Sequence, residues 1–216
     1  MPFRFKKSNC IAVGSFNIYI FPEWVRRMSP FPAGVEMHVH NDLSRPGLKL
    51  FSPHLTLSWT IRPDKITIES ESPNDDCGQI MDRVFETLPW TPLQALGNNF
   101  YFEAPTDEVC RLNGSHTFLA AQTPIKDEFT NRGWELALNG WHLALKRDNC
   151  TCGIQLTLRS DCVRAAANFH TELGNRTNAS AREAARSFET DRLETGRLLQ
   201  ELLGASIENG NVNIGQ

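Results

Sequence analysis

Between residues 134 and 145 the chain alternates on both sides of an Asn-Gly pair, and no other stretch limits the fold so tightly. Trp134, Leu136 and Leu138 are spaced by Glu135 and Ala137, Asn139-Gly140 follows, and Trp141, Leu143 and Leu145 are spaced by His142 and Ala144. Strict alternation marks a strand with one buried face. Asn-Gly is the preferred pair for a two-residue hairpin turn, because both positions need positive φ. A turn there pairs Leu138 with Trp141, Leu136 with Leu143 and Trp134 with Leu145, so all six share one face. The pattern predicts a hairpin over 134–145. A third strand through Ile154, Leu156 and Leu158 extends it, after a loop carrying Asp148, Asn149 and Gly153.

A second hairpin is predicted where Leu55, Leu57, Trp59 and Ile61 alternate with polar residues, Arg62-Pro63-Asp64-Lys65 turns, and Ile66 and Ile68 alternate again. Phe16, Ile18 and Ile20 form a further strand, ended by Pro22 and a short helix through Trp24 and Met28. Phe100 and Phe102 mark another strand, and residues 163–173 the last. Cys77, Ile80, Met81, Val84, Phe85 and Leu88 fall on one face of a helix over 75–88, with Asn74 or Asp75 as cap and Pro89 as stop. A polar linker at 174–178 precedes a second helix from about Ser180 to Leu203. The sum is an α+β fold: a twisted antiparallel sheet of about seven strands and two main helices, the second long and C-terminal. The sequence contains no internal repeat. The domain reading is a single α+β domain over 1–173, a linker and C-terminal helix over 174–206, and a flexible tail over 207–216.

Composition narrows the function classes without naming one. With 216 residues, 40% hydrophobic and 22% charged, the chain is ordinary for a globular protein. A net charge of −3 supplies no broad pull toward nucleic acid. Neither an apolar leader nor a membrane-length run is present, so a cytoplasmic location is expected, with the six cysteines reduced.

No phosphate loop, dinucleotide-binding turn, H-E-x-x-H helix or nucleophile elbow occurs. The sharpest remaining chemistry is His38-Val39-His40. On a strand the two imidazoles point the same way, and Asp42 or His54 could complete a metal site. A polar strand end accounts for the same residues. Cys150-Thr151-Cys152 reads as two loop thiols, His170 with Glu172 as a polar sheet face, and Pro63-Asp64 as a turn. Trp90, on no periodic element, is the aromatic best suited to a surface contact.

Two segments carry a resemblance: Phe16-Asn-Ile-Tyr-Ile-Phe-Pro-Glu-Trp-Val25, and Leu88-Pro-Trp-Thr-Pro-Leu-Gln-Ala-Leu-Gly-Asn-Asn-Phe-Tyr-Phe-Glu103. Over about a quarter of its length the chain resembles a scattered group of small bacterial proteins without an assigned activity. The resemblance implies a bacterial or phage source and an α+β fold. It transfers no site residue, and His38 and His40 lie outside it.

The C-terminal helix supplies the remaining functional expectation. Ala181, Ala184, Phe188, Asp191, Thr195, Leu198 and Leu202 follow at steps of three and four, the rhythm of a helix seam. Glu183 with Arg186, Glu189 with Arg192 and Arg197 with Glu201 line the outer face. An unpaired carboxylate is costly in a private core, so Asp191 tips the seam toward a partner. The expectation is a non-enzymatic binding or assembly protein with no cofactor, meeting a protein partner or a second copy through Trp90, Phe188, Asp191, Thr195, Leu198 and Leu202. Nucleic acid and membrane are disfavoured as partners. The alternative is a metal-dependent hydrolase or nuclease using His38, His40 and Asp42.

Overall fold

The computed structural model describes residues 3–17, 38–41, 47–51, 56–109, 139–159, 161–174, 178–203 and 207–208. At its centre lies β1, Phe3–Gly14, a strand that the sequence pattern conceals. Its inward positions Ser8, Cys10 and Ala12 are small, so no large apolar alternation betrays it. Helices cover those positions instead, and small side chains let a helix backbone come close.

Around β1 the sheet grows in both directions. On one side stand β5 (Lys65–Ser70), β4 (Leu57–Ile61), β3 (Leu48–Phe51) and β2 (His38–Asn41). On the other stand β6 (Leu93–Pro105), β9 (Cys162–Glu172), β8 (Cys150–Leu158) and β7 (Asn139–Arg147). All these pairings are antiparallel. The α+β class with an antiparallel sheet stands as expected, with a strand number close to the expected one, although β1 and β3 were not read from the pattern. A short β10, Ile207–Glu208, pairs in parallel with Phe3 and Arg4, at the head of the segment expected to be a flexible tail.

Cut between β1 and β6, the sheet falls into two halves of one design. In each, the first strand is innermost, later strands enter at the edge and step back to it, and a helix follows the last. That helix is α1 (Cys77–Thr87) in the first half and α3 (Asn178–Arg186) in the second. The last hairpin of each half is closed alike, Arg62 N–H to Lys65 O and Arg159 N–H to Cys162 O, both at 2.8 Å. The sequence shows no such repeat; the topology does. Asn9 and Asn99 stand opposite each other at the middle of the β1–β6 ladder, which places a pseudo-dyad between them.

Three helices lie on one face. α1 and α3 pack together over β1 and β6, and α4 (Phe188–Leu203) continues from α3 through Ser187. A four-residue α2, Thr106–Val109, trails β6. The core gathers Trp59, Ile66, Ile68, Leu96, Phe100, Phe102, Ile154 and Leu156 from the strands, with Met81, Phe85, Phe188 and Leu199 from the helices. Each such side chain contributes roughly 1.5–3 kcal/mol by leaving water. Ion pairs lock α3 to α1: Arg182 reaches Asp82 at 2.6 Å, and Arg186 reaches the same carboxylate at 3.0 Å. At Gly78 the helices touch so closely that a Cβ would lie 2.1 Å from Ala185 O.

Several sequence expectations are corrected here. Asn139-Gly140 is not a turn. β7 runs through it, Asn139 opposite Leu158 and Gly140 opposite Thr157, and the two-residue turn is Asp148-Asn149. Asp148 there adopts φ 52°, the left-handed conformation that Asp tolerates. The nine-pair ladder this turn allows places Trp141 against Leu156 and Leu143 against Ile154, so the expected apolar face survives with a different partner strand. Residues 134–138 lie outside the described residues, as do 18–37. The cap of α1 is Asp76, whose carboxylate accepts from Gln79 N at 2.8 Å. Asp75 is occupied otherwise, accepting from Ser70 Oγ at 2.5 Å. The C-terminal helix is two helices, starting at Asn178.

Candidate binding face

Alternation gives the sheet two faces of opposite character. Ser8, Cys10, Asn98, Phe100 and Phe169 point to the helices; Asn9, Asn99, Tyr101, Asn168 and Gln155 point away. Among the described residues no helix lies on this second face. Its outward side chains are mostly polar or small: Lys49, Ser58, Thr60, Thr67 and Glu69 in one half, and His142, Ala144, Gln155, Arg164, Asn168 and His170 in the other, with Phe51, Ile11 and Val13 as apolar exceptions.

Three asparagines form its middle. Asn99 Nδ2 donates to Asn9 Oδ1 at 2.7 Å, and Asn168 Nδ2 donates to Asn99 Oδ1, linking β9, β6 and β1 in one row. Asn9 and Asn99 are buried and Asn168 is exposed, so the row leads from the pseudo-dyad to solvent. Asparagine is a poor strand residue. Three of them at register positions that meet side by side are the signal that a search for catalytic motifs passes over. Part of the charge on this face is paired. Lys7 meets Glu69 at 2.9 Å and lies 5.2 Å from the Tyr101 ring centroid. Glu103 binds Lys6 at 3.2 Å and Arg164 at 2.5 Å. Burial works to raise the Glu103 carboxyl, and the two cations outweigh it and hold the group below its ordinary value.

The residues expected to bind a partner are distributed differently. Trp90 is 93% exposed, in the turn after α1. Phe188 is fully buried, its ring 4.9 Å from that of Phe100. Asp191 is 7% exposed, and its carboxylate accepts from Asn98 Nδ2 at 2.8 Å and from Ser187 Oγ at 2.9 Å. Thr195, also buried, donates to Asp191 O at 2.9 Å. These three therefore belong to the chain's own core. Asp191 does not tip the seam toward a partner, because β6 presents an amide to it. Asn98 also donates to Ala184 O at 3.2 Å, while its buried Oδ1 finds no partner among the described residues. Burial pushes the Asp191 carboxyl up; the hydrogen bonds from Asn98 and Ser187 oppose the shift without cancelling it. Leu198 is half-buried, and Leu202 lies in α4 with its side chain outside the described ones. Glu189 pairs with Arg192 and Arg197 with Glu201 as expected, although the Arg192 side chain is only 9% exposed, whereas Arg186 turns to Asp82 instead of Glu183.

His38 and His40 do lie on a strand, opposite Phe51 and Lys49. Asp42 and His54 fall outside the described residues. Among the described residues, no group of three or more His, Cys, Asp or Glu is placed to hold a metal ion. Cys150 and Cys152 belong to β8, not to a loop. Among the described residues no helix is long and apolar enough to cross a membrane. No protein-family model matches the chain, and no curated protein matches it.

Proposed function

We propose that this chain is a non-enzymatic binding or assembly protein, a subunit of a bacterial or phage-related complex, whose partner sits on the sheet face opposite α1, α3 and α4. One observation carries the reading: a largely polar sheet face on which the buried pair Asn9 and Asn99 leads to the exposed Asn168, while Phe188, Asp191 and Thr195 of the helical seam are buried in the core. A surface of polar β-sheet side chains offers shape and hydrogen bonds, the terms that give interfaces their specificity. The test is a pair of surface variants in the cells where the protein naturally occurs. Gln155→Arg with Asn168→Arg should release the partner, measured as a fall in complex mass by light scattering. Arg197→Glu on the outer face of α4 should leave the mass unchanged. Loss of the partner with Arg197→Glu alone would refute the assignment of the face.

The competing reading is a metal-dependent hydrolase or nuclease on His38 and His40. Its support is the placement of both on β2, two residues apart. Elemental analysis decides: our reading expects less than a tenth of an equivalent of zinc or manganese after dialysis. About one equivalent, lost in the His38→Ala, His40→Ala double variant, would favour the enzyme.

A further inference from the structure

On the helix-covered side, where the β7–β8 hairpin meets α4, lies a cavity of about 110 Å³. Cys150 and Cys152 both line it, with Arg147, Phe169, Glu194 and Leu198. Two residues apart on one strand, the thiols share a face. Cys152 is 8% exposed and Cys150 half-buried, and both are free. Arg147 stands directly opposite Cys150 in the ladder. Glu194, on the other wall, is engaged by Arg197 at 2.8 Å.

Strand geometry discriminates between the two things a thiol pair can do. Cα atoms two residues apart on a strand are separated by roughly 6.6 Å, near the upper limit for a disulfide, which prefers about 5.5–6 Å. A bridging ion needs its sulfurs only about 4.6 Å apart, two metal–sulfur bonds of roughly 2.3 Å, a span that side chains leaning together cover. We infer that Cys150 and Cys152 form a two-thiolate site for a soft monovalent metal ion of the Cu(I) or Ag(I) type, with Arg147 as its counter-charge. Thiolate sulfur selects such ions, which are content with two ligands. Zinc needs four, and no larger cluster of ligands stands among the described residues. Two thiolates around a monovalent ion carry one negative charge, which the guanidinium balances. Around a divalent ion they carry none.

At neutral pH an ordinary thiol carries its proton, so the metal-free site is a dithiol. On binding, two S–H bonds break, two sulfur–metal bonds form and two protons pass to the buffer, with no change of oxidation state. Affinity therefore rises with pH, by up to ~100-fold per unit while both thiols stay protonated. The experiment titrates the full chain anaerobically with Cu(I) against a chromophoric Cu(I) chelator, and in parallel with Hg(II) against a competing thiol. One Cu(I) per chain is expected, weakened at least 100-fold in Cys150→Ser and in Cys152→Ser and unchanged in Cys162→Ser. Arg147→Gln keeps both thiols and an exposed position; it should weaken Cu(I) about tenfold while sparing Hg(II). Unchanged binding in either serine variant of β8 overturns the site. So does Arg147→Gln moving the two ions equally or neither, which remains readable if a serine variant fails to fold.

Discussion

Asp191 shows how one residue can be misjudged when its partners are distant in sequence. Its carboxylate sits between Asn98, 93 residues away, and Ser187, one helical turn back. Replacing it with Leu strands the buried Asn98 amide donor, while Ser187 Oγ keeps Ala184 O as an acceptor at 2.8 Å, and should cost about 1–3 kcal/mol in denaturant melts. Asp191→Asn should do the reverse. It keeps an acceptor and adds an amide donor for the unpaired Asn98 Oδ1, a gain of about 1 kcal/mol at neutral pH. The pH dependence has a fixed sign. The folded-state value is raised by burial, so the folded chain holds this proton more tightly than the unfolded chain. Stability from this group is full below the ordinary carboxyl value and is lost as pH rises through the raised one. Arg147 and Glu194 also face the group, pulling it down and up respectively. Asp191→Asn should flatten that portion of the stability–pH curve, and an unaltered curve would contradict the assignment. Gly78 is the second sensitive position. A methyl there would meet Ala185 O at 2.1 Å and Phe188 Cβ at 2.3 Å, so Gly78→Ala should cost about 1–3 kcal/mol by overpacking.

At the scale of elements, legibility followed local chemistry. The β4–β5 hairpin was readable because Pro63-Asp64 makes its turn and large apolar residues alternate beside it. The α1 stripe was readable for the same kind of reason, with its cap displaced by one residue because Ser70 claims Asp75. The β7–β8 hairpin defeated the pattern because two turn-forming pairs, Asn139-Gly140 and Asp148-Asn149, lie nine residues apart, and only pairing across the sheet chooses between them. That choice is testable. Asp148→Val forces a β-branched residue into the left-handed region and should cost about 1–2 kcal/mol. Gly140→Val, inside a strand, should cost less than that or stabilise. The opposite ranking in denaturant midpoints would restore Asn139-Gly140 as the turn.

At the scale of the molecule, what escaped the sequence was the repeat and the face it creates. Ser8, Asn9 and Cys10 say little in a row; their meaning comes from strands β5 and β6 on either side and the helices above. The candidate site was illegible for the same reason, since Asn9, Asn99 and Asn168 meet only through the register of three strands. Both halves contribute a helix to one shared core, so deleting residues 178–216 should unfold the chain, seen as loss of near-ultraviolet dichroism. A folded truncation would mean that α3 and α4 pack elsewhere. The most direct test of the binding face is residue-level footprinting of the natural complex. His142 and Lys146 of β7 and Tyr101 of β6 should lose reactivity toward side-chain labels when the partner is present, while Trp90 and Arg197 keep theirs. Protection of Trp90 and Arg197, with His142, Lys146 and Tyr101 unchanged, would contradict the account.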